Sequence, residues 1–254
     1  MNYGKTKVII CKDEFDLGSQ SALAVSNKIK ELLTKKDTLK VVFAAGESQM
    51  TFFDFLSKEK DINWQKINCF NIDDFHDLKM PEKFTCGYQT TKQLYDKVKP
   101  KSINLVRYNA PDAEAEAKRF ESLLKKDGDI DILCQGIGTS GHLALNEPND
   151  TDFNEKNWVR VTDIVEQSKI QLRSDPNFKA LGYIPEKGIT ITIPGILAAK
   201  NIFTMVPLAL KRPIMERFFA TNTPTTELPA SILRNVEGFL FIDKNSCPKN
   251  FLPK

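Results

Sequence analysis

The chain has 254 residues, 41% hydrophobic and 27% charged, with a net charge of only +3. That balance supports a sizeable core and excludes a disordered chain, and the scattered basic residues form no stripe for nucleic acid. No stretch reaches membrane-spanning length and no long apolar run follows the start MNYGKTKVIICKDE, so a cytoplasmic protein without membrane or nucleic-acid partners is expected.

The first apolar run, KVIIC (7–11), is followed by a helical face of Leu23, Val25, Ile29, Leu32 and Leu33. LKVVFA (39–44) comes next, then a second helical face of Met50, Phe52, Phe53 and Leu56, then INCFNI (67–72). Segment 111–128 reads as a helix: Pro111 and Asp112 are start signals, Phe120, Leu123 and Leu124 form the apolar face, and Gly128 is the stop. IDILC (130–134), GITITI (188–193), NIFTMV (201–206) and GFLFI (238–242) complete the strand candidates. The runs are almost continuously apolar, as in strands buried on both faces. Their alternation with helices predicts an α/β fold, a doubly wound, mostly parallel sheet with helices on both faces. Residues 149–187, polar and irregular, are read as an excursion over the mouth of the site, within one domain spanning 1–254. The five cysteines form no CxxC pair; Cys11, Cys69 and Cys134 lie in apolar runs, where a thiol behaves as a small hydrophobe.

Ligands of open α/β sheets bind beyond the carboxyl ends of the strands, and three segments fall there. In AAGESQMT (44–51), Gly46 and Ser48 lead into a helix whose backbone N–H groups can hold an anion, although the stretch alone equally fits an ordinary turn. In INCFNIDDFHDL (67–78), Asp73 and Asp74 terminate a strand and suit a proton-transfer base and a positioning group; alone, they fit a solvated loop start with a capping aspartate better. His76 reads as a loop histidine, and with two histidines and no metal-ligand spacing no metal site is predicted. GIGTSGHLALNEP (136–148) is the most informative segment. Its glycines let the backbone pass close to a ligand, His142 is an acid or base near neutral pH, and Glu147 orients it. Lys211, after the run NIFTMVP, sits where a helix starts and a cation can meet a phosphate.

In order and spacing, these segments resemble the glucosamine-6-phosphate deaminase/isomerase family, which shares its Rossmann-like fold with 6-phosphogluconolactonases. GIGTSGHLALNEP resembles the family's G-x-G-x-x-G-H-x-x-x-N-E-P signature, FNIDDF its acidic strand end, and AAGESQ the phosphate loop of a divergent branch. ITITIPGILAAKNIF and LPASILRNVEGFLFID resemble the carboxyl-terminal half of that branch. The resemblance implies conversion of an amino-hexose 6-phosphate, glucosamine 6-phosphate first among them, to a ketose 6-phosphate and ammonia, without cofactor. It implies Asp73 as the base between C2 and C1, His142 as the ring-opening group and Glu147 as its support. Gly46, Ser48 and Lys211 would hold the phosphate, Lys169 would stand for a phosphate-binding arginine, and Asp74, Gly138 and Ser140 would complete the substrate site. Three positions depart from the family: Ser140 stands for Asp or Asn, Asp74 for Glu and Phe75 for Tyr. A lactonase-type hydrolase and a non-catalytic sugar-phosphate sensor are the alternatives, and a homo-oligomer is compatible with the sequence.

Overall fold

The computed structural model describes residues 1–174 and 176–251. An antiparallel edge pair, β1 (Asn2–Tyr3) and β2 (Thr6–Cys11), opens the chain. Helix α1 (Glu14–Leu33) starts where the Asp13 carboxylate accepts the N–H groups of Phe15 and Asp16, and its buried stripe includes Leu17, Ala22, Val25 and Ile29. Then come β3 (Leu39–Phe43), α2 (Met50–Leu56), β4 (Ile67–Asn71) and β5 (Asp73–His76). Helix α3 (Cys86–Thr90) continues through a π turn into α4 (Asp96–Val98), followed by β6 (Ser102–Asn104) and α5 (Ala113–Lys125). The second half holds β7 (Ile132–Gln135), β8 (Val159–Asp163), α6 (Glu166–Ser174), α7 (Pro176–Leu181) and β9 (Lys187–Ile191). It ends with α8 (Ile193–Leu197), β10 (Ile202–Val206), α9 (Arg212–Ala220) and β11 (Gly238–Asp243).

Eight strands form the main sheet in the order β1, β2, β11, β10, β7, β3, β4, β6. Every neighbouring pair except the β1–β2 edge is parallel. All five residues of β3 are buried, as the continuous apolar run predicts. Separate apolar cores cover the two faces. One gathers Val42, Leu133, Phe120, Met215 and Leu240, the other Phe43, Phe52, Phe53, Tyr95 and Phe203. The chain moves outward from β3 through β4 to β6 on one side, and from β7 through β10 to β11 on the other. β3 and β7 lie side by side, with Val42 opposite Leu133 and Phe43 opposite Cys134. Their carboxyl ends therefore flank the point where strand order reverses, the crevice in which such sheets bind ligands.

The structure departs from the sequence reading at three places. GITITI is a strand, but it lies in a second, antiparallel sheet ordered β5, β9, β8. Asp73 and Asp74 begin β5 rather than end a strand. The cause is Ile72, whose N–H bonds the Phe43 carbonyl in the main sheet while its own carbonyl accepts from Ile191 of β9. One residue is thus paired to both sheets, and the chain changes sheet there. Residues 149–187 contain β8, α6 and α7; the VRVTD of β8 mixes apolar with polar residues, so its periodicity is faint.

The opposite edge of the sheet is held by a buried cation. The Lys40 ammonium donates to the carbonyls of Leu124, Lys126 (2.7 Å) and Gly128 (2.6 Å), satisfying the carbonyl end of α5. Lys40→Met is expected to lower stability by about 1–3 kcal/mol, because it strands those acceptors. Urea unfolding checks this, and affinity for inorganic phosphate is expected to stay unchanged.

Candidate active site

A cleft of about 240 Å³ opens at the carboxyl ends of β3 and β7. Its wall includes Gly46, Ser48, Asp73, Gly138, His142 and Lys211, so six of the ten residues singled out in the sequence meet in one place. Gly46 has φ +96°, a backbone conformation that favours glycine, and it turns the chain from β3 into the short 3-10 turn Glu47–Gln49. Ser48 Oγ accepts from Gln49 Nε2 at 3.2 Å, which leaves its own proton for an acceptor in the cleft. Room for that serine comes from Gly136, since a Cβ there would stand 2.7 Å from Ser48 Oγ. Gly138 does the same for the histidine, because a Cβ there would lie 2.0 Å from His142 Nε2.

Behind His142 lies a chain of hydrogen bonds. Its Nδ1 faces Glu147 Oε1 at 2.7 Å and Ser140 Oγ at 2.8 Å, while Ser140 donates to Glu147 Oε2 at 2.6 Å. The serine's single proton is thereby used, so Nδ1 is the donor to Glu147 and Nε2, against Gly138, remains for a ligand. Ser168 of α6 adds a further hydroxyl to Glu147 Oε1. Burial alone would raise the Glu147 carboxyl, but the hydrogen bond and charge of His142 and the two serine hydroxyls outweigh it and hold it at about 2. Ser140 thus does without the charge of the family's Asp by bridging the other two members. The loop is clipped to the second sheet, where Asn146 Nδ2 donates to the Ile191 carbonyl and Thr190 Oγ1 accepts from Leu145 N–H.

The two aspartates part company because successive strand residues point to opposite faces. Asp73 lines the cleft, and among the described residues no donor meets its carboxylate. Asp74, 2% exposed, instead accepts the N–H groups of Phe75, Cys86 and Gly87 and pins the start of α3. It is an anchor and not a wall of the substrate site, which corrects the sequence reading. Burial raises both carboxyls to about 7; the Asp74 charge adds to the rise at Asp73, whereas the three N–H donors oppose it at Asp74. The two carboxyls titrate as a pair, so neutralising Asp74 would ease ionisation of Asp73. Phe75, in place of the family's tyrosine, packs edge-on against Phe178 with ring centroids 5.2 Å apart. His76 bonds the Ala110 carbonyl at 2.8 Å and takes no part in the cleft.

Lys211 follows β10 and is 8% exposed, with no side-chain partner among the described residues. Burial lowers its ammonium to about 8, against the opposing charge of Glu47. Lys169 is not beside it. Its ammonium pairs with Glu186, outside the cleft, and among the described side chains of α6 Ser168 reaches Glu147 while Leu172 lines the cleft. Lys169, which the resemblance sets in the place of a phosphate-binding arginine, therefore does not meet Lys211, Ser48 and Gly46 in the cleft. Ser168 and Gln49 went unread, since neither belongs to a charged or glycine-marked pattern.

A mobile proton carrier, a carboxylate and an unpaired cation in one cleft suit proton transfer on an anionic substrate. The sequence model of the family described as glucosamine-6-phosphate isomerases/6-phosphogluconolactonase matches residues 12–241. The chain belongs to this family. A glucosamine-6-phosphate deaminase of Mycoplasmopsis pulmonis is 26% identical over 93% of this chain and 91% of its own length. One from Bacillus subtilis is 25% identical over 89% and 92%. The structure of a monomeric glucosamine-6-phosphate deaminase superposes with a TM-score of 0.83 at 24% identity, covering 95% of this chain and 98% of that one. A 6-phosphogluconolactonase from Thermotoga maritima gives 0.73 at 20% identity, over 94% and 99%. Deaminase and lactonase members of the family thus share this fold. Among the described residues no helix is long and apolar enough to cross a membrane.

Two titrations are expected. As a base, Asp73 works only when ionised, so kcat/KM should fall as pH drops through about 7. Asp74→Asn removes the neighbouring charge and should move that limb to lower pH, which a pH–rate profile reads directly. An anion beside Lys211 restores its proton, so inorganic phosphate binding should take up protons near pH 8 and weaken as pH rises further. Calorimetry in buffers of different ionisation enthalpy checks this, and Lys211→Ala should abolish the uptake.

Proposed function

We propose that the protein converts an amino-hexose 6-phosphate, glucosamine 6-phosphate first among them, to the ketose 6-phosphate and ammonia. The observation that carries this reading is the free carboxylate of Asp73 in the same cleft as His142 and Lys211. Lactone hydrolysis has no carbon-bound proton to move and needs no base at C2. The phosphate is held by Lys211, Ser48 and the backbone at Gly46, which is binding energy remote from the reacting carbons. His142 Nε2 takes the anomeric hydroxyl proton and passes it to the ring oxygen as the sugar opens, supported on its other nitrogen by Glu147. Asp73 then takes the C2 proton, made acidic by the C1 aldehyde, and delivers it to C1. The resulting C2 iminium adds water and releases ammonia, so one water is consumed for each ammonia formed. A carboxylate titrating near 7 is well matched to proton transfer at neutral pH.

Purified protein with glucosamine 6-phosphate is expected to give ammonia and ketose 6-phosphate in equal amounts, without added metal or nucleotide. Ketose without ammonia would make it an isomerase, hydrolysis of 6-phosphogluconolactone a lactonase, and binding without turnover a sensor. Asp73→Asn is expected to bind substrate normally while turnover and exchange of the C2 hydrogen with solvent fall about 10²–10⁴-fold. His142→Gln and Glu147→Gln should slow the cyclic sugar alike, with the double variant little worse than either, and should spare an open-chain analogue.

A further inference from the structure

One polar group in the cleft wall has no part in that chemistry. Gln135 is the last residue of β7 and lines the cleft immediately before the Gly136–Gly138 loop. It is fully buried, and neither its Oε1 nor its Nε2 has a hydrogen-bond partner among the described residues. The other three residues of β7, Ile132, Leu133 and Cys134, are apolar and buried. An unpaired buried carboxamide destabilises a fold, and leucine or methionine would fill a similar volume without that cost. Its persistence in such a strand calls for a polar ligand. The loop that follows packs against Ser48 at Gly136 and against His142 at Gly138. Gln135 therefore stands where the phosphate-holding and proton-transferring parts of the cleft converge.

Resting on the deaminase reading, we propose that Gln135 is a specificity-determining residue that binds the vicinal hydroxyls of the sugar between C2 and the phosphate. One hydroxyl donates to Oε1 and its neighbour accepts from Nε2. A carboxamide presents an uncharged donor and acceptor side by side, which matches a diol. Of the other polar groups in the cleft, Ser48 and Lys211 stand at the phosphate end, and Asp73 and His142 are suited to proton transfer.

The test compares wild type with Gln135→Leu, and with Gln135→Met as the closer match in volume should leucine fail to fold. Three readouts are taken: the melting temperature without ligand, binding of glucose 6-phosphate, its 3-deoxy and 4-deoxy analogues and inorganic phosphate, and kcat/KM on the amino sugar. The unliganded variants are expected to melt about 2–4 °C higher, because an unpaired amide is gone. Their affinity for glucose 6-phosphate should fall roughly 5- to 150-fold, with inorganic phosphate unchanged. Wild type should bind the deoxy analogues about as weakly as the variants bind the parent sugar, and the variants should scarcely distinguish them. A lower melting temperature, an equal loss for inorganic phosphate, or undiminished discrimination in the variants would overturn the assignment. If no amino sugar phosphate is turned over, the deaminase reading falls, and the glucose 6-phosphate measurements still judge Gln135. If no hexose phosphate binds at all, both fall together.

Discussion

The cleft exists because one loop carries no side chains where it crosses its neighbour. β3 and β7 are adjacent and parallel, so the loops leaving them emerge from the same edge, one strand spacing apart. Ser48 from the first loop and His142 from the second can share that gap only if the backbone between them is bare. Gly136 and Gly138 supply the bare backbone, each at a position where even a methyl group would overlap a neighbour. The Gly46–Ser48 turn and His142 are thereby brought to one cavity, and the remaining features of the site presuppose that approach.

Around this gap the polar groups fall into two layers. The outer layer is saturated: Glu147 has Ser140, His142 and Ser168, Asp74 has three backbone N–H groups, and Asn146 bridges two carbonyls. The inner layer is not, since Asp73 and Lys211 face the cleft without partners among the described residues. A satisfied shell fixes rotamers and tautomers, whereas an unsatisfied lining keeps its hydrogen-bonding capacity for a ligand. Asp73 and Asp74, adjacent in sequence and alike in chemistry, belong to different layers only because the strand places them on opposite faces.

Much of the main sheet was legible in the sequence because its strands are buried on both faces, which leaves continuous apolar runs such as VVF at 41–43 and ILC at 132–134. The glycine-marked loops were legible because close approach forbids other residues. The assignment of GITITI to the wrong sheet has a physical basis, since burial on two faces yields the same apolar run in either sheet and only pairing partners distinguish them. Ile72 changes sheet through two backbone hydrogen bonds that leave no mark on its side chain. Lys169 was expected from the resemblance to stand for a phosphate-binding arginine, yet its ammonium serves Glu186, and the neighbouring Ser168 reaches Glu147 through a hydroxyl common anywhere on a polar helix. Position on a helix face is decided by packing, and α6 carries too few apolar residues to announce it.

The junction at Ile72 gives the molecule a gauge of length. Gly46 and Ser48 hang from the main sheet, whereas Asp73 rides on the second sheet, whose register with β9 is set opposite Thr190. A ligand gripped by its anion at one end and worked upon by Asp73 at the other must span the offset between two independently hydrogen-bonded frames. That offset is set by the main-chain bonds of Ile72 together with the clip of Leu145 and Asn146 onto β9, none of which involves a side chain that lines the cleft. Under the proposed reaction, the backbone would set the chain length of the ligand, and the lining residues would read the substituents along it.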